Sequence, residues 1–79
     1  MVSVKILGVG CPKCRNLEAK VRELLVNNNI EAEVTKVDDI VKIMGYGIMM
    51  TPGLVVNEKV KSSGIIPPDE QILNWLEEN

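Results

Sequence analysis

Residues 2–25 read VSVKILGVGCPKCRNLEAKVRELL, and this stretch decides the fold. Val2–Leu7 is an apolar run rich in β-branched residues, which is typical of a β-strand, and the glycines Gly8 and Gly10 indicate a turn after it. Beyond the turn, apolar residues recur at helical spacing, namely Leu17, Val21, Leu24 and Leu25. The stretch therefore predicts a strand, a turn and then a helix.

Two cysteines lie where the predicted strand passes into the helix. Cys11 and Cys14 are the only cysteines in the 79 residues, and the chain has no histidine. Pro12 suits the first helical turn, where its missing N–H costs nothing, so Cys11 should lie at the N-terminal end of the helix. Cys14 precedes Leu17 by three residues on the apolar stripe and should face the core. Two thiols at this spacing form a redox-active pair, half of a metal site, or an idle pair.

The predicted positions should give the two thiols different reactivities. Free N–H groups and the positive end of the helix dipole stabilise a thiolate at Cys11, which lowers its pKa below the roughly 8.5 of a free thiol, and Lys13 adds a nearby cation. Cys14, in an apolar setting, should stay a thiol until a mixed disulfide forms on Cys11, and should then attack it. If the pair is redox-active, Cys11 is the predicted nucleophile and Cys14 the resolving cysteine.

Composition limits the other classes of function. With 46% hydrophobic and 25% charged residues and a net charge of −2, the chain has the composition of a globular domain with one modest core. Its positive charges are scattered and Tyr46 and Trp75 are the only aromatic residues, so no nucleic-acid surface is indicated. Residues 1–10 do not resemble a secretory leader, and no window approaches a membrane span. We expect a cytoplasmic protein, in which a purely structural disulfide would be unusual.

The rest of the chain predicts a short series of alternating elements. The first helix should run from about Pro12 to Val26 and stop at the three asparagines 27–29, and a strand over residues 30–37 should pair parallel to the first strand. A short helix should follow, capped by Asp38 or Asp39 and ended by Gly45, and then a loop over Tyr46–Met50. The next element should be a hairpin of Leu54–Val56 and Val60–Ser62 around the turn Asn57–Lys59. A last helix should begin after Pro68, with Ile72, Leu73 and Leu76 facing inward.

The chain resembles the thioredoxin-fold family in three features taken together. These are the order of its elements, the Cys-x-x-Cys at the first strand-to-helix junction and the Thr51-Pro52 step at the start of the third strand. The chain is most similar to its small thioredoxin-like and glutaredoxin-like members, often called redox-active disulfide proteins. The resemblance implies an α/β fold of order βαβ-α-ββα, with a central four-stranded mixed sheet and flanking helices. It also implies a single thioredoxin-like domain over residues 1–79.

The resemblance implies a thiol-disulfide oxidoreductase that transfers electrons through a Cys11–Cys14 disulfide and needs no further cofactor. The expected partners are protein or small-thiol substrates and a reductase, with no membrane or nucleic acid, and the chain is expected to be a monomer. In the family the proline is cis and lies against the disulfide. The implied substrate-binding residues are Pro12, Lys13, Met50, Thr51 and Pro52. Ile48, Met49 and Met50 fit either the core or an exposed apolar rim for partner proteins.

Several positions depart from the family pattern. Thioredoxins carry Trp where this chain has Gly10, and a buried Asp where it has Lys5. Glutaredoxins carry a Gly-Gly pair that helps to hold glutathione, roughly where this chain has Ser63 and Gly64. We therefore expect glutathione to be a poor reductant of this protein.

A soft-metal carrier is the alternative from another class, because two thiolates at this spacing also hold Cu(I). Such heavy-metal-binding domains place a Cys-x-x-Cys after their first strand. The order of their elements is similar to βαββαβ, however, and they usually have Met two residues before the first cysteine, where this chain has Val9. They also end in a strand, whereas this chain is predicted to end in a helix, and the Thr51-Pro52 step has no role in that scheme. Zinc is less favoured still, since a closed four-ligand site would require two chains. Disulfide exchange is the favoured interpretation.

Overall fold

The helices and strands follow the predicted order in a computed structural model, which describes residues 2–77. In chain order the elements are β1 (Val2–Leu7), α1 (Pro12–Asn27), β2 (Ala32–Val37), α2 (Ile40–Gly45), β3 (Gly53–Val56), β4 (Lys59–Ser63) and α3 (Asp69–Glu77). The predicted order βαβ-α-ββα is confirmed. No helix within the described residues is long and apolar enough to cross a membrane.

The four strands form one mixed sheet in the order β2-β1-β3-β4. β1 pairs parallel with β2, in the register Val4 to Val34, and antiparallel with β3, in the register Ile6 to Leu54. β3 and β4 form the antiparallel hairpin. Because β1 lies inside the sheet, the loop that leaves its carboxyl end starts from the middle of the sheet rather than from an edge.

Helix α1 begins and ends where its sequence provides caps. Cys11 is the extended N-cap residue and Pro12 takes the first helical position, where no intrahelical N–H is needed. At the other end the Asn28 N–H donates to the Leu24 carbonyl at 3.1 Å, and Asn29 has a left-handed φ of 53°. The predicted stop at the asparagines is therefore confirmed, one residue later than expected.

The sheet carries a different apolar cluster on each face, because successive side chains of a strand point to opposite sides. The larger cluster lies under α1 and α3, and its buried members are Val2, Val4, Ile6, Leu17, Val21, Leu25, Leu54, Val56, Ile72 and Leu76. The smaller cluster, called here the second core, consists of Leu7, Ile43, Ile48 and Val55, with Val37 and Tyr46 packed against it. Only one residue of α2, Ile43, is buried in the second core.

The predicted hairpin turn and the predicted start of β2 were wrong. The hairpin turn contains only Asn57 and Glu58, both with positive φ (51° and 66°), and Lys59 already belongs to β4. Such a two-residue turn matches the right-handed twist of the strands that it joins. β2 begins at Ala32 rather than Ile30, because the Ile30 N–H instead donates to the Leu25 carbonyl at 2.9 Å and completes the end of α1.

Candidate active site

The two cysteines form a disulfide at the start of α1, with Cα atoms 5.1 Å apart. The loop from Gly8 to Gly10 joins the end of β1 to this helix. Gly10 has a φ of 87°, a left-handed conformation that glycine adopts without steric penalty. The loop thus brings the disulfide to the carboxyl end of the central strand.

The two sulfurs of the disulfide have different surroundings. Cys11 is partly exposed, and its Sγ accepts a hydrogen bond from the Cys14 N–H at 3.2 Å. Cys14 is buried, with 5% of its surface exposed, and lies three residues before the buried Leu17 on α1. The geometry expected from the apolar stripe is therefore observed, with Cys14 facing inward and Cys11 at the open helix end.

The Thr51-Pro52 step approaches the disulfide from the neighbouring strand. Its peptide bond is cis, and Pro52 is buried while Thr51 is partly exposed. The Pro52 carbonyl accepts a hydrogen bond from the Gly64 N–H at 2.8 Å. Thr51 and Cys14 both border the space beside Gly8, because a β-carbon built on Gly8 would meet the Cys14 sulfur and lie 3.9 Å from the Thr51 Cβ. Two of the sequence-predicted site residues, Cys14 and Thr51, are thus brought together around Gly8, for which the sequence had indicated only a turn.

The remaining predicted site residues lie on the surface around the disulfide. Pro12 and Lys13 are exposed in the first turn of α1, and Lys13 makes no ion pair or hydrogen bond within residues 2–77. Met50 is 65% exposed and Met49 is 98% exposed, whereas Ile48 is buried in the second core. The three residues before Thr51 are therefore divided between core and surface.

An apolar groove of about 550 Å³ lies next to the site, between α2 and the loop that ends at Thr51. It is lined by Val9, Ile40, Ile43, Met44, Gly47, Ile48, Met49 and Thr51. The contribution of α2 was missed in the sequence analysis, although a signal was present. Four of the first five residues of α2 are apolar and cover an arc of about 160° around the helix, which is wider than the stripe of about 100° that typically faces a core.

Lys5 lies on the face of the second core and joins three parts of the fold. Its Nζ donates to Glu58 at 2.7 Å and to the Tyr46 hydroxyl at 3.0 Å. The hydrogen bond to Glu58, followed by that to Tyr46, raises the pKa of Lys5, and the hydrogen bond from Lys5 lowers the pKa of Glu58. The position that holds an aspartate in thioredoxins is thus occupied by an ammonium group with two partners.

The part of the chain that the structure describes contains no cluster of side chains typical of a metal site. Within residues 2–77 no three His, Cys, Asp or Glu side chains are grouped closely enough to hold a metal ion. The two cysteines are therefore not part of a larger cluster of such side chains within these residues.

Comparison with known proteins decides between the two classes left by the sequence. A family model described as a thioredoxin domain matches residues 2–77. A thioredoxin of Methanocaldococcus jannaschii is 35% identical over 76 residues, which cover 96% of this chain and 87% of that protein. A thioredoxin of Methanothermobacter thermautotrophicus is 33% identical, with 96% and 99% covered. The chain belongs to the thioredoxin family, whose members are protein disulfide oxidoreductases, and it carries out thiol-disulfide exchange through the Cys11–Cys14 pair.

Proposed function

We propose that the chain reduces disulfides of partner proteins in two steps, with Cys11 as the attacking cysteine and Cys14 as the resolving cysteine. The observation that carries this assignment is the contrast between the two sulfurs. Cys11 is reachable from solvent and has an N–H donor, whereas Cys14 is 5% exposed. A partner disulfide can approach the first sulfur but not the second.

In the first step the Cys11 thiolate attacks one sulfur of the partner disulfide. A bond forms between Cys11 and that sulfur, and the other partner sulfur leaves as a thiolate that takes up a proton. In the second step Cys14 loses its proton to solvent and its sulfur attacks Cys11. The Cys11–Cys14 bond forms, the bond to the partner breaks, and the second partner sulfur leaves and is protonated. The chain has then given two electrons to the partner.

The start of α1 favours the thiolate that the first step requires. When the disulfide is reduced, the Cys14 N–H that now lies 3.2 Å from the Cys11 sulfur can donate to a negatively charged acceptor. The first turn of α1 contains no acidic residue but contains Lys13 and Arg15. Positive charge at a helix N-terminus opposes the helix dipole, so these residues do not stabilise the helix there, but they do favour an anion at Cys11.

We propose that partner proteins dock on the surface around the disulfide. Met49 and Met50 directly precede Thr51 and have exposed apolar side chains, and Met49 lines the groove. Thioether side chains adapt to partners of varied shape. Thr51, next to the buried Pro52, would offer its backbone to an extended partner segment. Pro12 and Lys13 would border this segment on the side of α1.

The reductase that returns the protein to its dithiol form is proposed to be a dithiol donor in a reducing compartment such as the cytoplasm. Ser63 stands roughly where glutaredoxins carry the first glycine of the pair that helps to hold glutathione. Reduction of the disulfide by glutathione should therefore be slower than reduction by a dithiol at equal thiol concentration, as followed by quenched alkylation. Faster reduction by glutathione would refute this part of the proposal.

Trapping of mixed disulfides tests the roles of the two cysteines. Reduced Cys14→Ser and Cys11→Ser variants are incubated with insulin as the protein disulfide, and covalent adducts are separated without reductant. Cys14→Ser should accumulate an adduct because the release step is lost, whereas Cys11→Ser should trap far less. The double variant measures the background. Preferential trapping by Cys11→Ser would refute the assignment.

A further inference from the structure

We propose that Gly8 is a positioning residue, which leaves the Cys14 sulfur the space that it needs to form the disulfide and so sets how readily the pair is oxidised. The proposal rests on disulfide exchange through Cys11 and Cys14, but not on which of the two attacks the partner. Gly8 lies at the carboxyl end of β1, three residues before Cys11, and is buried.

The side chain that Gly8 lacks would occupy the place of the Cys14 side chain. A β-carbon built on Gly8 overlaps the Cys14 Sγ and lies 3.1 Å from the Cys14 Cβ. The φ of Gly8 lies outside the left-handed region, so an L-residue can adopt its backbone conformation. Glycine at this position therefore provides space, in contrast to Gly10, where it provides a positive φ.

The backbone of Gly8 cannot easily move away from Cys14. Its N–H donates to the Val37 carbonyl at 2.9 Å, which continues the pairing of β1 with β2. The β-carbon built on Gly8 would also lie 3.9 Å from the Thr51 Cβ, so Thr51 occupies another side of the same space. Cys14 is held in turn by α1, whose Leu17 and Val21 are fully buried. An added methyl group must therefore be accommodated mainly by the sulfur.

The oxidised and reduced states differ in how far that sulfur can move. In the disulfide, the bond to Cys11 fixes the position of the Cys14 Sγ. In the dithiol that bond is absent, and the Cys14 side chain can turn to another staggered rotamer. A methyl group on residue 8 should therefore raise the free energy of the disulfide more than that of the dithiol. It should also slow the second step of exchange, in which the Cys14 sulfur must reach Cys11 before the partner is released.

Equilibration with reduced and oxidised dithiothreitol measures the predicted effect on Gly8→Ala. The fraction of disulfide is determined by quenched alkylation and mass spectrometry over a series of dithiothreitol ratios. We expect the equilibrium constant to shift at least tenfold towards the dithiol form, equivalent to about 30 mV for a two-electron couple. Because both thiols of the protein are counted, the result does not depend on the order of attack that the insulin trapping experiment tests.

Two other Gly→Ala variants provide controls. A β-carbon on Gly45 meets no atom within 4 Å, so Gly45→Ala should leave the equilibrium constant unchanged. A β-carbon on Gly53 would lie 2.5 Å from the Ile48 Cδ1 and 3.2 Å from the Leu7 Cδ1, and none of its three nearest atoms is a sulfur. Gly53→Ala should therefore lower the free energy of unfolding while changing the equilibrium constant less than threefold. This variant separates a general loss of packing from an effect on the disulfide.

A folded Gly8→Ala with the wild-type equilibrium constant would overturn the proposal, as would an equal shift in Gly53→Ala. If Gly8→Ala does not fold, the double variant Gly8→Ala/Cys14→Ala decides, because it removes the sulfur that the methyl group would overlap. The double variant should fold, and failure of the double variant to fold would also overturn the proposal. A wild-type protein that does not exchange with dithiothreitol at all would refute both this proposal and the proposed function.

Discussion

Ile43→Ala should show that a single side chain holds α2, and with it one wall of the groove, against the sheet. Ile43 is 5% exposed and is the only buried residue of α2, where it belongs to the second core with Leu7, Ile48 and Val55. The helix has six residues, and its N-cap Asp39 accepts a hydrogen bond from the Val41 N–H at 2.8 Å. A helix this short is not stable without tertiary packing.

The expected loss follows from the atoms removed. Alanine lacks three of the side-chain carbons of isoleucine, and at ~0.8 kcal/mol for each buried carbon the lost transfer free energy is about 2.4 kcal/mol. The cavity that remains raises such losses to between about 2 and 5 kcal/mol, and a short helix at the edge of a small cluster can partly collapse into it. We expect a loss of about 3 kcal/mol in the free energy of unfolding. For 79 residues the total is about 4–12 kcal/mol, so the loss is a large fraction of it.

Urea denaturation of the oxidised protein, followed by far-ultraviolet circular dichroism, measures this loss from the shift in midpoint at an unchanged slope. Val41→Ala is the matched control, because Val41 is on the same helix and 76% exposed. The free energy of unfolding of this variant should stay within about 0.5 kcal/mol of wild type. Loss of the groove wall should also slow the reduction of insulin more than exchange with dithiothreitol. A loss below about 1 kcal/mol for Ile43→Ala, or equal losses in the two variants, would refute the reasoning.

Two further predictions concern polar groups away from the disulfide. Because Lys5 lowers the folded-state pKa of Glu58, the pair stabilises the fold above the ordinary carboxyl pKa of 4.5 and loses this contribution as pH falls through the folded-state value. The stability difference between wild type and Glu58→Gln should therefore be present at pH 7 and disappear in acid urea titrations, and a difference that persists in acid would contradict this account. The Ser62 hydroxyl is buried without a hydrogen-bond partner among residues 2–77, so Ser62→Ala should be neutral or stabilise the protein by up to about 1 kcal/mol. The exposed Ser63→Ala is its control, and a clear destabilisation by Ser62→Ala alone would show that the hydroxyl has a partner.

Local patterns were enough to predict the order of the elements, and the family resemblance implied the four-stranded mixed sheet, whereas individual long-range contacts were not visible in either. The three-residue step from Cys14 to Leu17 placed the cysteine on the buried face, and the asparagines placed the end of α1, because both depend on neighbours along the chain. The contact of Lys5 with Glu58 joins residues 53 positions apart and depends on the register of β1 with β3. The overlap between Gly8 and Cys14 likewise depends on where α1 packs against the sheet. The sequence pattern alone did not indicate it.

The departures from the family pattern change the apolar surface around the disulfide. Thioredoxins carry Trp at the position of Gly10, and a β-carbon at Gly10 would meet no atom within 4 Å, so this side of the disulfide is open and lacks a large apolar group. Exposed apolar surface is found instead on the side of α2, where Ile40 and Met44 are 62% and 66% exposed and line the groove. If partner proteins bind through apolar contacts beside the disulfide, α2 supplies part of that surface in this chain, together with Val9 and Met49. The packing of Ile43 would then govern partner binding as well as stability, although Ile43 takes no part in the exchange itself.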